Sequence, residues 1–353
     1  MHHAPKNRPS SGRVTLSDVA RAAGVSPITV SRALRGARAV APDLVKKVTL
    51  ASERLGYVPD PAARALASQR SNHVAILIPK LSNALFVALL DTAQHTLRRE
   101  GFQALIGITE YDTMLEEQML REHLLHRPAG LLMTGLNSSA ATRALIKQSN
   151  VPCVHLMDLP KATATDAPYC VGFRQAEAGA AMTEHLLSTG CRRIAFAGAQ
   201  LDDRVMQRCY GWRSVLQAEN LYDAALEWLN PQSSSLALGA AMFEQITSER
   251  PDVDAIFFCN DDLAQGALLA ALRLGISVPD QIAVAGFNDL PGSDQMLPSL
   301  TTVRTPRAQI GVAAAQMLLD LIRTGSHEPR LIDLGFEVMP RASTQRASSA
   351  LSI

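Results

Sequence analysis

Apolar positions show two textures along the chain. Up to about residue 60 they recur at helical spacing in short runs broken by Gly, Ser and Pro. From His73 onward, short wholly apolar runs alternate with amphipathic ones. In the first region Leu16, Val19, Ala20 and Ala23 share a helical face. Thr15 with Asp18 three residues later forms a capping-box pattern, so a helix is predicted from Leu16. Gly24 ends it in a left-handed residue. Ser26 as N-cap and Pro27 in the first turn begin a second helix, which buries Val30, Ala33 and Leu34 and stops at Gly36. Pro42 opens a third, from Asp43 to about Leu55, closed by Gly56, with Leu44, Val45, Val48 and Leu55 completing a thin three-helix core. Asp60 and Pro61 then begin a helix of about two turns, too short to hold in isolation. Two short helices around a Gly-containing turn fit an αα-corner or a helix-turn-helix, whose second helix enters the DNA major groove; spacing alone leaves both open.

In the second region, Val74–Pro79 reads as a strand and Ser82–Glu100 as an amphipathic helix ended by Gly101. Further strands are predicted at 103–109, 129–134, 151–157, 193–198, 254–258 and 282–287. Helices are predicted near 113–126, 140–149, 175–189, 204–219, 237–249, 261–274 and 308–324. Such alternation builds parallel sheets covered on both faces, and this many strands needs two sheets. The expected fold is thus an α/β body of two Rossmann-like lobes behind an all-α head. Residues 1–13, polar and basic, are expected to be disordered; 14–59 form the head, 60–72 a hinge, and 73–345 the body.

Charge sharpens this division. The net charge of the 353-residue chain is +1, but Met1–Asn72 holds twelve Lys or Arg against four acids, +8, while the remainder holds 22 against 29, −7. A basic head on an acidic body fits DNA binding confined to one end. The five cysteines form no Cys-x-x-Cys pair, which speaks against zinc or a disulfide framework and for a reducing compartment. The N-terminus lacks an apolar signal region and no apolar run reaches membrane-spanning length, so a cytoplasmic protein without a membrane partner is expected. No Gly-x-Gly-x-x-Gly after a strand, phosphate loop, nucleophile elbow or paired metal-ligand histidines occur. The expectation is a binding protein with no catalytic residues, no metal and no cofactor.

The segment from Val14 to Arg70 closely resembles the DNA-binding headpiece of the lac repressor (LacI) family, with Leu16, Asp18, Val19, Ala20, Gly24, Val25, Ser26, Thr29, Val30, Ser31 and Arg32 at matching positions. The resemblance runs to about Thr344. It implies a two-lobed body like the periplasmic sugar-binding proteins, with the chain crossing between lobes near 173, 303 and 330. The lobes are then about 73–173 with 304–329, and 174–303 with 330–345. It implies DNA contacts by Thr15, Ser26, Pro27, Ile28, Thr29, Ser31 and Arg32, the recognition-helix positions Pro27, Ile28 and Arg32 reaching base edges. Leu66 matches the hinge-helix residue that wedges into the minor groove, where small Ala65 and Ala67 let two helices approach. Two heads on a two-fold axis reading a pseudo-palindrome imply a homodimer. The tail after Ala347 is too short for the heptad coil of tetrameric members.

The effector belongs between the lobes, at strand carboxyl ends. The resemblance places there Lys80, Asn83 and Phe86 after the first strand, Asp158 after the 151–157 strand, Phe173 and Arg174 at the first crossing, Arg208 four residues before Trp212, Asn260, Asn288, and Arg307 at the second crossing. Asp158 and Asp261 also read as helix-start carboxylates that satisfy backbone N–H groups. Sugar-binding members carry Asp where this chain has Asn288. With Arg208, Arg174, Arg307 and Lys80 retained, the expected cleft is cationic, which suits a carboxylate. The branch most resembled is that of gluconate-operon repressors, through Val171–Phe173, Gly198–Arg204, Gln232–Ser235, Asn260–Ala264, Ala285–Phe287, Leu300–Arg307 and Asp333–Phe336. The expected function is a repressor induced by gluconate or a related sugar acid. The rivals are a LacI-type regulator of another sugar or of ketogluconate, a carbohydrate-transport binding protein, and an enzyme acting on sugar acids.

Overall fold

The computed structural model describes residues 14–34, 40–58, 71–160, 168–325 and 330–346, and the chain divides into two units, Met1–Ser71 and Asn72–Ile353. The expected tail 1–13, the stop at Gly36, the hinge helix with Leu66, and the tail after Arg346 lie outside the described residues.

The head is built by its caps. Before α1 (Leu16–Ala23), the Thr15 Oγ1 accepts from the Asp18 N–H at 3.3 Å and the Asp18 carboxylate accepts from the Thr15 N–H at 3.0 Å. Both orphan donors are therefore satisfied reciprocally. Gly24 closes the helix at φ 63°. The Ser26 Oγ accepts from the Thr29 N–H at 3.2 Å and starts α2 (Pro27–Leu34). With α3 (Pro42–Leu55) these helices enclose Val19, Ala20, Ala23, Val30, Ala33, Val48 and Ala51. Leu44 departs from expectation: it is 36 % exposed, because the packed stripe of α3 begins at Val45.

The body contains two parallel sheets. The first comprises β1 (His73–Ile78), β2 (Gln103–Ile108), β3 (Gly130–Thr134), β4 (Cys153–Leu156), β5 (Tyr169–Gly172) and β11 (Leu331–Asp333), in the order β11-β5-β4-β3-β1-β2. The second comprises β6 (Ile194–Ala199), β7 (Glu227–Asn230), β8 (Ala255–Phe258) and β9 (Ala283–Ala285), in the order β7-β6-β8-β9. β10 (Thr302–Arg304) pairs antiparallel with β12 (Glu337–Met339). The first lobe carries α4 (Ala84–Arg99), α5 (Thr113–Leu125), α6 (Ala140–Ser149) and α11 (Arg307–Thr324), α11 packing on α4. The second carries α7 (Gln175–Ser188), α8 (Asp203–Ala218), α9 (Leu236–Glu249) and α10 (Asp261–Leu274), packed as the pairs α7·α8 and α9·α10. Central strands such as β6 and β8 are buried throughout, the pattern of a sheet covered on both faces.

The third crossing lies at 334–336, not near 330, because Leu331–Asp333 pair with Cys170–Gly172 in the first sheet. Phe173 at the first crossing and Phe336 at the third lie 6.4 Å apart, and Phe173 stacks on Phe287 at 6.3 Å. An aromatic cluster thus holds the place where the chain changes lobes.

Candidate effector site and DNA-facing helix

In the head, Thr15, Ser26, Pro27, Ile28 and Arg32 are exposed, while Thr29 and Ser31 are half-buried. Ile28 is 65 % exposed beside polar neighbours, which leaves an apolar side chain on the outer face of α2 without a core to serve.

In the body, the carboxyl ends of strands from both lobes frame a cavity of about 100 Å³ lined by Lys80, Asn83 and Tyr111 on one side and Arg204, Arg208, Ser234, Asn260, Asp262 and Asn288 on the other. Tyr111, Gln200, Asp202 and Arg204 also line an adjoining compartment of about 280 Å³ that reaches Glu116 and Asp158. Together these are at the small end of ligand clefts, typically about 300–1,000 Å³, and suit a monosaccharide-sized molecule. Several loop residues here hold a left-handed backbone without being glycine: Tyr111 at φ 62°, Gln200 at φ 68° and Asn288 at φ 106°. Such conformations persist where surrounding structure over-determines them, as at ligand sites.

The wall mixes charges: Lys80, Arg204 and Arg208 share it with Asp202 and Asp262, and the adjoining compartment is acidic, so the cleft is less cationic than expected because Arg174 and Arg307 lie outside it. Asp202 caps α8 through its Oδ1, accepting from the N–H groups of Arg204 and Val205 at 2.9 and 3.2 Å, and its Oδ2 accepts from Arg204 Nη2 at 3.2 Å. The Arg204 guanidinium lies 5.8 Å from the Phe86 ring centroid and 6.0 Å from that of Tyr111, both in the other lobe. One turn later, Arg208 donates Nε to Gln175 Oε1 at 2.9 Å and Nη1 to the Cys259 carbonyl at 2.7 Å, over the Phe287 ring at 3.8 Å. Burial pushes its pKa down to about 10, so it stays charged at neutral pH. Burial also opposes the charge of Arg204, but Asp202, Tyr111 and Asp158 together outweigh it and raise that pKa. Gly179 and Gly211 let α7 and α8 touch backbone to backbone: a Cβ on Gly179 would lie 2.4 Å from the Arg208 carbonyl oxygen. That close approach fixes where both arginines point.

The remaining candidates divide. The Asn260 Oδ1 accepts from Ser234 Oγ at 2.9 Å and from the Leu263 N–H at 3.1 Å, so it both faces the cavity and caps α10. Asn83 caps α4, accepting from the Leu85 N–H at 2.9 Å. Lys80 Nζ donates across the lobes to Ser233 Oγ at 2.9 Å. Asp158 is buried; burial raises its pKa to about 6, and it accepts from Gln207 of the other lobe at 3.2 Å. Phe86 and Phe173 are fully buried, the first under Arg204 and the second in the crossing cluster. Arg174 is turned to Glu177 and Asp333, each at 3.5 Å, and lines a separate groove with Tyr210. Arg307 donates to the Asp289 carbonyl at 2.7 Å. Asp261 is structural but does not cap its helix as expected: Asn260 takes that place, and Asp261 accepts from the Leu290 N–H, Ser293 Oγ and Thr302 Oγ1. Tyr111, Gln200, Asp202, Arg204, Ser234 and Asp262 line the cavity without having been marked in the sequence as effector contacts. The signal for Arg204 was its spacing: like charges at i and i+4 repel on a helix unless something anionic joins them.

No helix among the described residues is long and apolar enough to cross a membrane. Residues 15–60 match the family described as bacterial regulatory proteins, lacI family, and residues 183–344 match the periplasmic binding protein-like domain. The chain is 51 % identical over 339 residues to the HTH-type transcriptional regulator GntR of Pseudomonas aeruginosa, covering 96 % of this chain and 98 % of that one. A solved structure of transcription regulator GntR from Chromobacterium violaceum superposes with a TM-score of 0.74 at 48 % identity, over 78 % of this chain and all of the other. A LacI-family regulator from Silicibacter pomeroyi gives a TM-score of 0.85 at 34 % identity, over 94 % of this chain and all of the other. The chain thus belongs to the LacI family of bacterial regulatory proteins: a helix-turn-helix transcriptional regulator with a small-molecule-binding body, and not an enzyme.

Proposed function

We propose that this regulator works in the cytoplasm as a homodimeric repressor, bound to a pseudo-palindromic operator and released when gluconate or a close sugar acid enters the cleft between the lobes. The observation that carries the acid is the buried pair of arginines, Arg204 and Arg208, one helical turn apart on the cavity wall. Asp202 engages Arg204, but the two guanidinium groups with Lys80 still outnumber Asp202 and Asp262 on the wall, and an unmatched guanidinium in a low-dielectric setting supports an anion over a neutral hexose. The small cavity and the amide and hydroxyl groups of Asn83, Ser234, Asn260 and Asn288 suit the polyol part. On the DNA side, Pro27, Ile28 and Arg32 read base edges, with Thr15, Ser26, Thr29 and Ser31 around them, a reading supported by the exposure of the first three.

Side chains from both lobes meet at the site, through Lys80–Ser233, Gln207–Asp158 and Arg204 against Phe86 and Tyr111. A ligand held by both walls stabilises the closed arrangement by its differential affinity, and that difference is what can reset the paired hinge segments around Leu66. A carbohydrate-transport role gives no use to the DNA-binding head. Calorimetry against gluconate, 2-ketogluconate, glucose and the neutral hexitol glucitol tests the ligand class. The acids are expected to bind at least 100-fold more tightly; equal binding of glucose would overturn the acid reading.

A further inference from the structure

Two buried polar atoms of residues that line the cavity have no hydrogen-bond partner among the described residues: Arg204 Nη1 and Asn288 Oδ1, both just beneath its surface. Both residues are more than nine-tenths buried, Arg204 at 6 % exposure and Asn288 at 3 %. The first can only donate and the second can only accept. Native structures seldom leave such groups unpaired without a use, least of all a charged one. The rest of the Arg204 fork is fixed: Nη2 is held by Asp202 at 3.2 Å, and the rings of Phe86 and Tyr111 flank the guanidinium. Arg208 contrasts with it, because Gln175 and the Cys259 carbonyl already occupy its Nε and Nη1.

We propose that Arg204 is the specificity-determining residue that reads the acid, its Nη1 taking the effector carboxylate while Asn288 Oδ1 accepts a hydroxyl hydrogen from the polyol part. This rests on the sugar-acid reading above and adds an orientation to it. The orientation follows from Arg204, which carries donors only and is better matched by a carboxylate than by a hydroxyl, whereas the Asn288 amide accepts from a hydroxyl without needing a charge. Arg208 also positions the site, locking α8 to α7 and to the end of β8 so that Arg204 meets the ligand. Because Arg204 lies against Phe86 and Tyr111, the carboxylate end lies where the two lobes meet.

The test is the preference for gluconate over glucitol, measured by calorimetry on the full-length protein. Arg204→Gln is expected to cut that preference at least 30-fold, with gluconate losing affinity and glucitol little changed. Arg204→Lys keeps a charge beside Asp202 but not the fork, and is expected to keep a preference between the two. Asn288→Ala is expected to weaken gluconate and glucitol by similar factors, leaving the preference intact. If Arg204→Gln fails to fold, Arg204→Lys decides, and a wild-type preference in it overturns the assignment. An unchanged preference in Arg204→Gln, or equal losses for both ligands, overturns it too while leaving the sugar-acid reading standing. A wild type that does not prefer the acid refutes that reading itself.

Discussion

Arg32 carries the guanidinium fork on the exposed face of α2, whereas Pro27 and Ile28 offer apolar surface suited to a thymine methyl. Arg32→Ala should therefore lose about 1–3 kcal/mol of discrimination at one base pair per half-site. Titrations on operator and single-base variants check this; equal loss on operator and random DNA would make Arg32 a phosphate contact. Asp158 makes a different kind of statement. Its folded pKa, raised by burial to about 6, exceeds the unfolded value near 3.8. The folded state therefore holds the proton more tightly, and this group's contribution to stability falls as pH rises from about 4 to 6. Asp158→Asn should remove a slope amounting to about 2–3 kcal/mol across that window, read as the pH dependence of wild-type minus variant urea stability. A difference independent of pH would show that Asp158 does not titrate there. The family resemblance, with strand-end position, made Lys80, Asn83, Arg208, Asn260 and Asn288 legible in the sequence. It could not tell which arginines are already occupied: Glu177, three residues on, was a readable partner for Arg174, but Asp333 and, for Arg307, the Asp289 carbonyl are distant in the chain.

Helices were more legible than strands. The caps of α1, α3 and α10 are written in single residues, Thr15, Gly56 and Asn260, and each adopts the geometry its type favours. The missed strands β5, β7, β10, β11 and β12 are three or four residues long, and all but β5 contain a charged residue, so no wholly apolar run marks those four as it marks the equally short β8 and β9. Missing β11 also displaced the third crossing. Equally hidden was the α7·α8 contact, since a glycine inside a helix does not reveal what it approaches. A Cβ at Gly211 would lie 2.0 Å from the Ala176 carbonyl oxygen, so Gly211→Ala must push the helices apart. About 1–3 kcal/mol of stability should be lost. Gluconate affinity should fall with it, because α8 carries Arg204 and Arg208. An unchanged urea midpoint would mean that the helices have slack there.

For the molecule as a whole, +8 on the first 72 residues and −7 on the rest separate the DNA-binding and effector-binding tasks electrostatically. The head and body were recognisable from sequence because each has its own texture, helical spacing in one and strand–helix alternation in the other. How they communicate rests on linkage: an effector that weakens operator binding must itself bind more weakly, by the same factor, to the operator complex. The direct measurement is operator affinity at fixed salt, with and without saturating gluconate, beside gluconate calorimetry on the free and operator-bound protein. Salt must be held constant because it alone moves the DNA term steeply. The expected result is a roughly 5–150-fold weakening of operator binding, corresponding to about 1–3 kcal/mol of coupling, matched by an equal weakening of gluconate binding. Operator affinity indifferent to gluconate, in a protein that binds gluconate, would contradict it.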